Sequence, residues 1–85
     1  MSRGQKLLDK AHRNPSGLRF DEIVALAEAF GFLHRRTTGS HRIHARDGIP
    51  ELVNLQNVKG MAKAFQVRQL LRLVEAYGLH VEGDR

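Results

Sequence analysis

The stretch of residues 34–46 carries the side chains best suited to chemistry. It reads His-Arg-Arg-Thr-Thr-Gly-Ser-His-Arg-Ile-His-Ala-Arg, with four arginines, three histidines and no carboxylate. Arginine offers a planar fork of donors that binds a phosphate through two hydrogen bonds. A neutral histidine can take up a proton near pH 7. Together these residue types favour binding of a nucleic-acid backbone, although a solvated strand face would have the same composition.

Other chemistries lack the residues that they need. The chain has no cysteine, so a thiol nucleophile and a cysteine-bound zinc are excluded. Ser40 adjoins His41, but neighbours on a strand point to opposite faces, which argues against a catalytic dyad. His34 and His41 could share a face, yet no third metal ligand is evident. The chain contains neither the Gly-x-x-x-x-Gly-Lys-Ser/Thr motif of P-loop proteins nor the Gly-x-Gly-x-x-Gly motif of dinucleotide-binding proteins. We expect no cofactor and no metal site.

Length and net charge limit the classes of protein to which the chain can belong. The 85 residues form one domain, and 14 lysines and arginines against nine acidic residues give a net charge of +5. A small basic domain is suited to a polyanionic partner, usually a nucleic acid. No apolar run approaches the roughly 20 residues of a membrane helix, so we expect no membrane partner. The N-terminus does not read as a signal peptide, and with the missing cysteines this favours a cytoplasmic location.

Periodicity predicts the order helix, helix, three strands, helix. The helices should span residues 5–13, 22–30 and 65–77, with Asp21 as an N-cap and Gly31 as a C-terminal cap. The strands should span residues 32–37, 40–45 and 51–56, with a turn at Thr38-Gly39 between the first two.

This order predicts an α+β fold, a three-stranded antiparallel sheet with the helices packed on one face. The other face is left for solvent or a partner. The apolar positions of these elements should form the core: Phe20, Ile23, Val24, Phe30, Phe32, Ile43, Val53, Leu55, Val67, Leu70, Leu71 and Val74.

The predicted turn fixes which side chains share a face. With Thr37 paired to Ser40, Arg36 faces His41, and Phe32 faces Ala45. His34 then faces Ile43. All six would lie on the helix-covered side, while Arg35 and Arg42 point to the other side. A partly covered His41 near arginine would stay neutral and could act as a base.

A histidine in a basic, acid-free hairpin can act on RNA. RNA supplies its own nucleophile, the 2′-hydroxyl, so the protein needs a base, cations for the phosphate and an acid for the leaving oxygen. The predicted RNA-binding residues are Arg35, Arg36, Arg42, Arg46, Lys59 and Lys63. A non-catalytic RNA- or DNA-binding module remains the alternative, because arginines without a base suffice for binding.

Several short motifs follow one another along the chain. They are Gly31-Phe32 at a helix end, Gly39-Ser40-His41 with Arg42-Ile43, Gly48-Ile49-Pro50-Glu51-Leu52, Val58-Lys59-Gly60, Gln66-Val67-Arg68-Gln69-Leu70-Leu71 and Tyr77-Gly78-Leu79. In this order they resemble the HicA family of toxin–antitoxin toxins over residues 20–79. We expect residues 1–15 to form a helical extension and residues 80–85 to form a frayed tail. Many family members carry an aromatic residue where this chain has His44, and a proline where it has Ala64.

The resemblance carries its own expectations. It implies a fold like that of double-stranded-RNA-binding domains and metal-independent cleavage of mRNA. The family's catalytic histidine corresponds to His41. The resemblance also implies a HicB-type antitoxin protein as partner.

Overall fold

A computed structural model describes residues 2–81 of the chain. Within them the elements are α1 (Arg3–Arg13), a 3₁₀ turn (Pro15–Gly17), α2 (Phe20–Ala29), β1 (Leu33–Thr38), β2 (His41–Ala45), β3 (Val53–Gln56) and α3 (Ala64–Ala76). Most of the expected frayed tail, residues 82–85, lies outside the described residues. None of the helices in the described part is long and apolar enough to cross a membrane.

The strands form one antiparallel sheet in the order β1-β2-β3. Helices α2 and α3 both contact β3, and α2 also reaches β1. The predicted α+β architecture, with a three-stranded sheet and helices on one face, is confirmed. Because β1 lies at the sheet edge away from β3, all of its side chains are exposed.

Side-chain caps fix the starts of α1 and α2. The Ser2 hydroxyl accepts a hydrogen bond from the Gln5 amide. Helix α2 begins at Phe20 and has Arg19, not Asp21, at its N-cap. The prediction for Asp21 is wrong because Glu22 reaches back and accepts the Arg19 amide at 2.9 Å, which starts the helix earlier.

Two helices end in the same way. Gly31 follows α2 with φ +83°, and Gly78 follows α3 with φ +60°. The next residue then folds back: the Phe32 amide donates to the Ala27 carbonyl, and the Leu79 amide to the Val74 carbonyl. The predicted cap at Gly31 is confirmed, and it delivers Phe32 into the core.

The core confirms most of the predicted positions. Ile23, Phe30, Phe32 and four residues of β3 and α3 are buried, and four others are partly buried against them. The four buried residues are Val53, Leu55, Val67 and Leu70; the four partly buried ones are Phe20, Val24, Leu71 and Val74. Ile43 is the exception, since it lies outside the core cluster.

The register of the hairpin differs from the prediction by one residue. Thr38, not Thr37, ends β1 and pairs with His41, so the two loop residues are Gly39 and Ser40. Gly39 has φ +59°, and a glycine with positive φ at the first of two loop positions is typical of a type II′ hairpin.

A bulge in β1 adds a second change. His34 pairs with His44 and Arg36 with Ile43, so Arg35 is an extra residue without a counterpart in β2. The bulge puts His34 and Arg36 on opposite faces, although a regular strand would place them on the same one.

The pairing of β2 with β3 decides which face is covered. Arg42 pairs with Leu55 and His44 with Val53, and both of these β3 residues are buried. Arg42 and His44 therefore lie on the helix-covered face. His41, Ile43 and Ala45 lie on the open face, so the prediction that these three share the covered side is wrong.

Candidate functional site

His41 lies half-buried at the start of β2 on the open sheet face. Its Nδ1 is 2.9 Å from Oδ1 of Asn54 in β3. Because an amide oxygen only accepts hydrogen bonds, Nδ1 carries the proton in the neutral ring and Nε2 carries the lone pair. Among residues 2–81 no other group hydrogen-bonds this imidazole. The ring is therefore held in one tautomer with its basic nitrogen available.

The neighbours of His41 are polar or cationic. Thr38 lies opposite it on β1 and Gln56 opposite it on β3. Arg36 is diagonal to it on the same face, a separation of about 7–8 Å that a long side chain spans. The three strands contain no carboxylate. This arrangement places a base next to a cation on a surface that attracts anions.

Two of the predicted phosphate ligands do not join this surface. Arg42 lies on the covered face, where its Nε is buried without a hydrogen-bond partner. Arg46 donates from Nη1 to the carbonyl of Phe30 at the end of α2. Both guanidinium groups are thus directed toward the interior or a helix end and away from His41.

Arg35 lies at the bulge and pairs with Asp47 at 3.5 Å. It lines a depression of about 250 Å³ together with Gly31, Leu33, Ala45, Arg46 and Asp47. Ala45 is four residues from His41 along β2, or about 13 Å. This depression therefore lies at the other end of the open face from the candidate base. An extended polymer bound on a sheet face does not require a pocket at the reacting group.

The two predicted lysines lie at the hairpin end of the sheet. The Asn57 amide donates to the Ser40 carbonyl at 3.1 Å, which anchors the loop containing Lys59 beside the hairpin. Lys63 is the N-cap residue of α3. The loop with Lys59 therefore lies at the end of the sheet where His41 begins β2. The Gln56 amide, opposite His41, donates to Gln66 in the first turn of α3, so Lys63 lies at this end as well.

His44 lies on the covered face and is fully buried, while the site residue that sequence reasoning missed is Asn54, the partner of His41. The His44 side chain is 0% exposed, and neither ring nitrogen has a hydrogen-bond partner. Its Nε2 is 3.8 Å from Glu28 Oε2, and its ring centroid is 5.6 Å from that of His34. Burial, helped by the charge of Arg42, lowers the pKa of His44, while Glu28 opposes this shift.

His44 is therefore a neutral imidazole that solvent cannot reach. It fills space beneath the sheet and is not accessible for proton transfer to a ligand. No group of three or more His, Asp or Glu residues in the described part of the chain could hold a metal ion. His34, in turn, is exposed and bonds Thr37 through Nε2 at 2.8 Å. The candidate site therefore centres on His41.

No protein-family model, no curated protein and no solved structure matches the chain.

Proposed function

We propose that the chain is an endoribonuclease that cleaves mRNA with His41 as its base, and that it is the toxin of a HicA-like toxin–antitoxin pair. One observation carries the proposal: Asn54 fixes the tautomer that leaves the Nε2 lone pair of His41 on an open sheet face without carboxylates. The order of motifs along residues 20–79 supports it. The three-stranded sheet with helices on one face is compatible with the double-stranded-RNA-binding-domain-like fold that the resemblance implies.

The reaction needs a proton acceptor, a cation and a proton donor for the leaving oxygen. Nε2 of His41 takes the proton of the RNA 2′-hydroxyl, and the 2′-oxygen attacks the adjacent phosphorus. The bond from phosphorus to the 5′-oxygen breaks, and this oxygen takes a proton from the imidazolium or from water. The products are a 2′,3′-cyclic phosphate and a 5′-hydroxyl.

Arg36 is the arginine placed to offset charge on the phosphate. It shares the open face with His41, and its guanidinium can donate two hydrogen bonds to one phosphate group. Arg42 and Arg46 are assigned no part in RNA binding, because Arg42 lies on the covered face and Arg46 donates to the Phe30 carbonyl. Arg35, Lys59 and Lys63 remain as contacts for the flanking chain.

The decisive experiment compares His41→Ala with His34→Ala on a labelled RNA. Loss of a positioned base typically reduces the rate by about 10²–10⁴-fold, whereas His34 is an exposed histidine of the same hairpin on the other face. We expect loss of cleavage only in His41→Ala, with RNA affinity retained. Cleavage should continue in EDTA, and a 2′-deoxy substitution at the cut site should prevent it.

The opposite results would identify the alternative function. If both variants cleave at the wild-type rate, or if the deoxy substrate is cut, His41 is not the base. If no cleavage occurs at all but RNA or DNA still binds, the chain is a non-catalytic nucleic-acid-binding module of the same fold.

The proposed partner is a HicB-type antitoxin that covers the open face. This face combines the exposed Leu33 and the half-buried Ile43 with Arg36, so an acidic protein with apolar anchors would be complementary to it. Because its substrate is mRNA, the toxin would act in the cytoplasm. Expression of the chain alone should arrest growth, and co-expression of the neighbouring reading frame should relieve the arrest and yield a co-purifying complex.

A further inference from the structure

The start of α3 carries a large aromatic side chain that does not pack into the core. Phe65 lies in the first turn of the helix and is 59% exposed. The Lys63 ammonium lies 5.7 Å from the centroid of its ring, within the distance of a cation–π interaction. The apolar face of α3 is made instead by Val67, Leu70 and Leu73, which are buried. Phe65 is therefore available to a ligand.

The surroundings of Phe65 favour a polyanion. Residues 52–74 contain Lys59, Lys63, Arg68 and Arg72 and no carboxylate. Phe65, Arg68 and Arg72 are all exposed and follow the spacing i, i+3, i+7, which places them on one face of α3. A single aromatic ring among cations is the composition that binds unpaired nucleic acid, in which bases stack on aromatic rings and phosphates meet basic side chains.

Two hydrogen bonds connect this surface to the candidate base. The Gln56 amide donates to Oε1 of Gln66 at 2.7 Å, and Gln56 lies directly opposite His41 in the sheet. The Asn57 amide donates to the Ser40 carbonyl next to His41. The start of α3 is thus fixed against the same end of the sheet as His41.

We propose that Phe65 is a stacking platform for an unpaired RNA base near the scissile phosphate, with Lys63 and Arg68 binding the adjoining phosphates. The proposal rests on RNA being the substrate, as argued above. It restricts that substrate to single-stranded RNA, because a base within a duplex presents its faces to its neighbours and not to the protein.

Binding of a 2′-O-methyl oligoribonucleotide tests this directly. The methyl group blocks the nucleophile, so affinity is measured without cleavage. Stacking on one aromatic ring is worth an energy equivalent to about 5- to 150-fold in affinity. We expect this loss in Phe65→Ala and in Phe65→Leu, and near wild-type affinity in Phe65→Tyr, which keeps the ring. A 2-aminopurine base in the oligonucleotide should be quenched by wild type and by Phe65→Tyr only.

Leu52→Ala is the matched control, because it removes an exposed apolar side chain, 48% accessible, next to the end of β3 that lies away from His41 and Phe65. The proposal is overturned if Phe65→Ala binds as tightly as wild type, if Leu52→Ala loses as much affinity, or if the wild-type chain does not bind the oligonucleotide. It is also overturned if Phe65→Leu binds like Phe65→Tyr. That result would indicate a general apolar contact, as with a protein or a lipid surface.

The two proposals fail separately. Loss of binding in Phe65→Ala with normal cleavage by His41→Ala would retain the stacking site and remove the catalytic assignment. If cleavage depends on His41 and Phe65→Ala binds as tightly as wild type, the catalytic assignment is retained and the stacking site is removed.

Discussion

Replacement of His44 by phenylalanine should stabilise the fold and remove part of its pH dependence. The His44 ring is completely buried on the covered sheet face, and neither Nδ1 nor Nε2 has a hydrogen-bond partner. A buried polar group left unsatisfied costs about 1–3 kcal/mol. Phenylalanine keeps a planar ring and has no polar atom to desolvate. Because phenylalanine is larger than histidine, strain from its extra volume offsets part of the gain in the free energy of unfolding.

A net gain of about 1 kcal/mol would raise Tm by roughly 4–8 °C in a domain of this size. The gain should be measured near pH 7.5, where the histidine is neutral in both the folded and the unfolded chain. Under these conditions the comparison reports desolvation and packing alone.

The pH dependence follows from the groups around the ring. Burial first, and then the charges of Arg42 and His34, lower the pKa of His44 below its ordinary 6.5, while Glu28 raises it. The unfolded chain therefore binds the proton more readily than the folded one. The stability contributed by neutral His44 is complete above about pH 6.5 and is lost as the pH falls below this value. One such group accounts for up to about 1.4 kcal/mol per pH unit.

Thermal or urea unfolding at pH 7.5 and pH 5.5 measures both effects. The free energy of unfolding of wild type should fall by up to about 1.4 kcal/mol more than that of His44→Phe over this interval. His12→Phe, at an exposed position of α1, makes the same substitution outside the core and is the matched control for stability at pH 7.5. The reasoning is refuted if His44→Phe unfolds more easily at both pH values and loses as much stability on acidification as wild type.

Four further predictions concern single substitutions. Glu22→Gln should lower stability by about 1 kcal/mol, because Glu22 caps α2 and accepts the Lys10 ammonium at 2.8 Å. The Lys10 hydrogen bond lowers the pKa of Glu22, so the difference from wild type in a pH series of urea unfolding should shrink as the pH falls below about 4.5. Arg36→Met should leave Tm unchanged and flatten the log–log salt dependence of RNA binding by about 0.7, the value for one phosphate contact on a single strand. Arg46→Met should do the opposite, lowering Tm without changing that slope, because its guanidinium binds the Phe30 carbonyl. Gly31→Ala should cost about 1 kcal/mol in urea unfolding, since φ is +83° at that position.

The fold was predictable because local signals agreed with one another. Glycine caps, apolar periodicity and turn residues located every helix and strand to within about two residues, in line with the usual uncertainty of element ends. The assignment of His41 as the candidate base also came from the sequence, through the composition of the hairpin and the Gly39-Ser40-His41 motif.

The face on which His41 lies was not predictable. Alternation in β2 gives Ile43 and Ala45 on one side and Arg42 and His44 on the other, and hydrophobicity alone assigns the first pair to the core. The pairing of β2 with the buried Val53 and Leu55 reverses this assignment. The register between two strands that a loop separates is set by tertiary packing, so no short sequence pattern reveals it. Asn54, which orients His41, was missed for the same reason.

The bulge at Arg35 has a consequence for insertions and deletions. His34 and Arg36 pair with consecutive residues of β2. Deletion of the Arg35 codon would therefore leave every cross-strand pair unchanged and convert β1 into a regular strand. Deletion of Thr37 would instead move Arg36 out of register with His41. The hairpin should thus tolerate the loss of one codon of the Arg35-Arg36 pair but not of a codon of the following Thr37-Thr38 pair, so that chains with β1 one residue shorter can carry the same site.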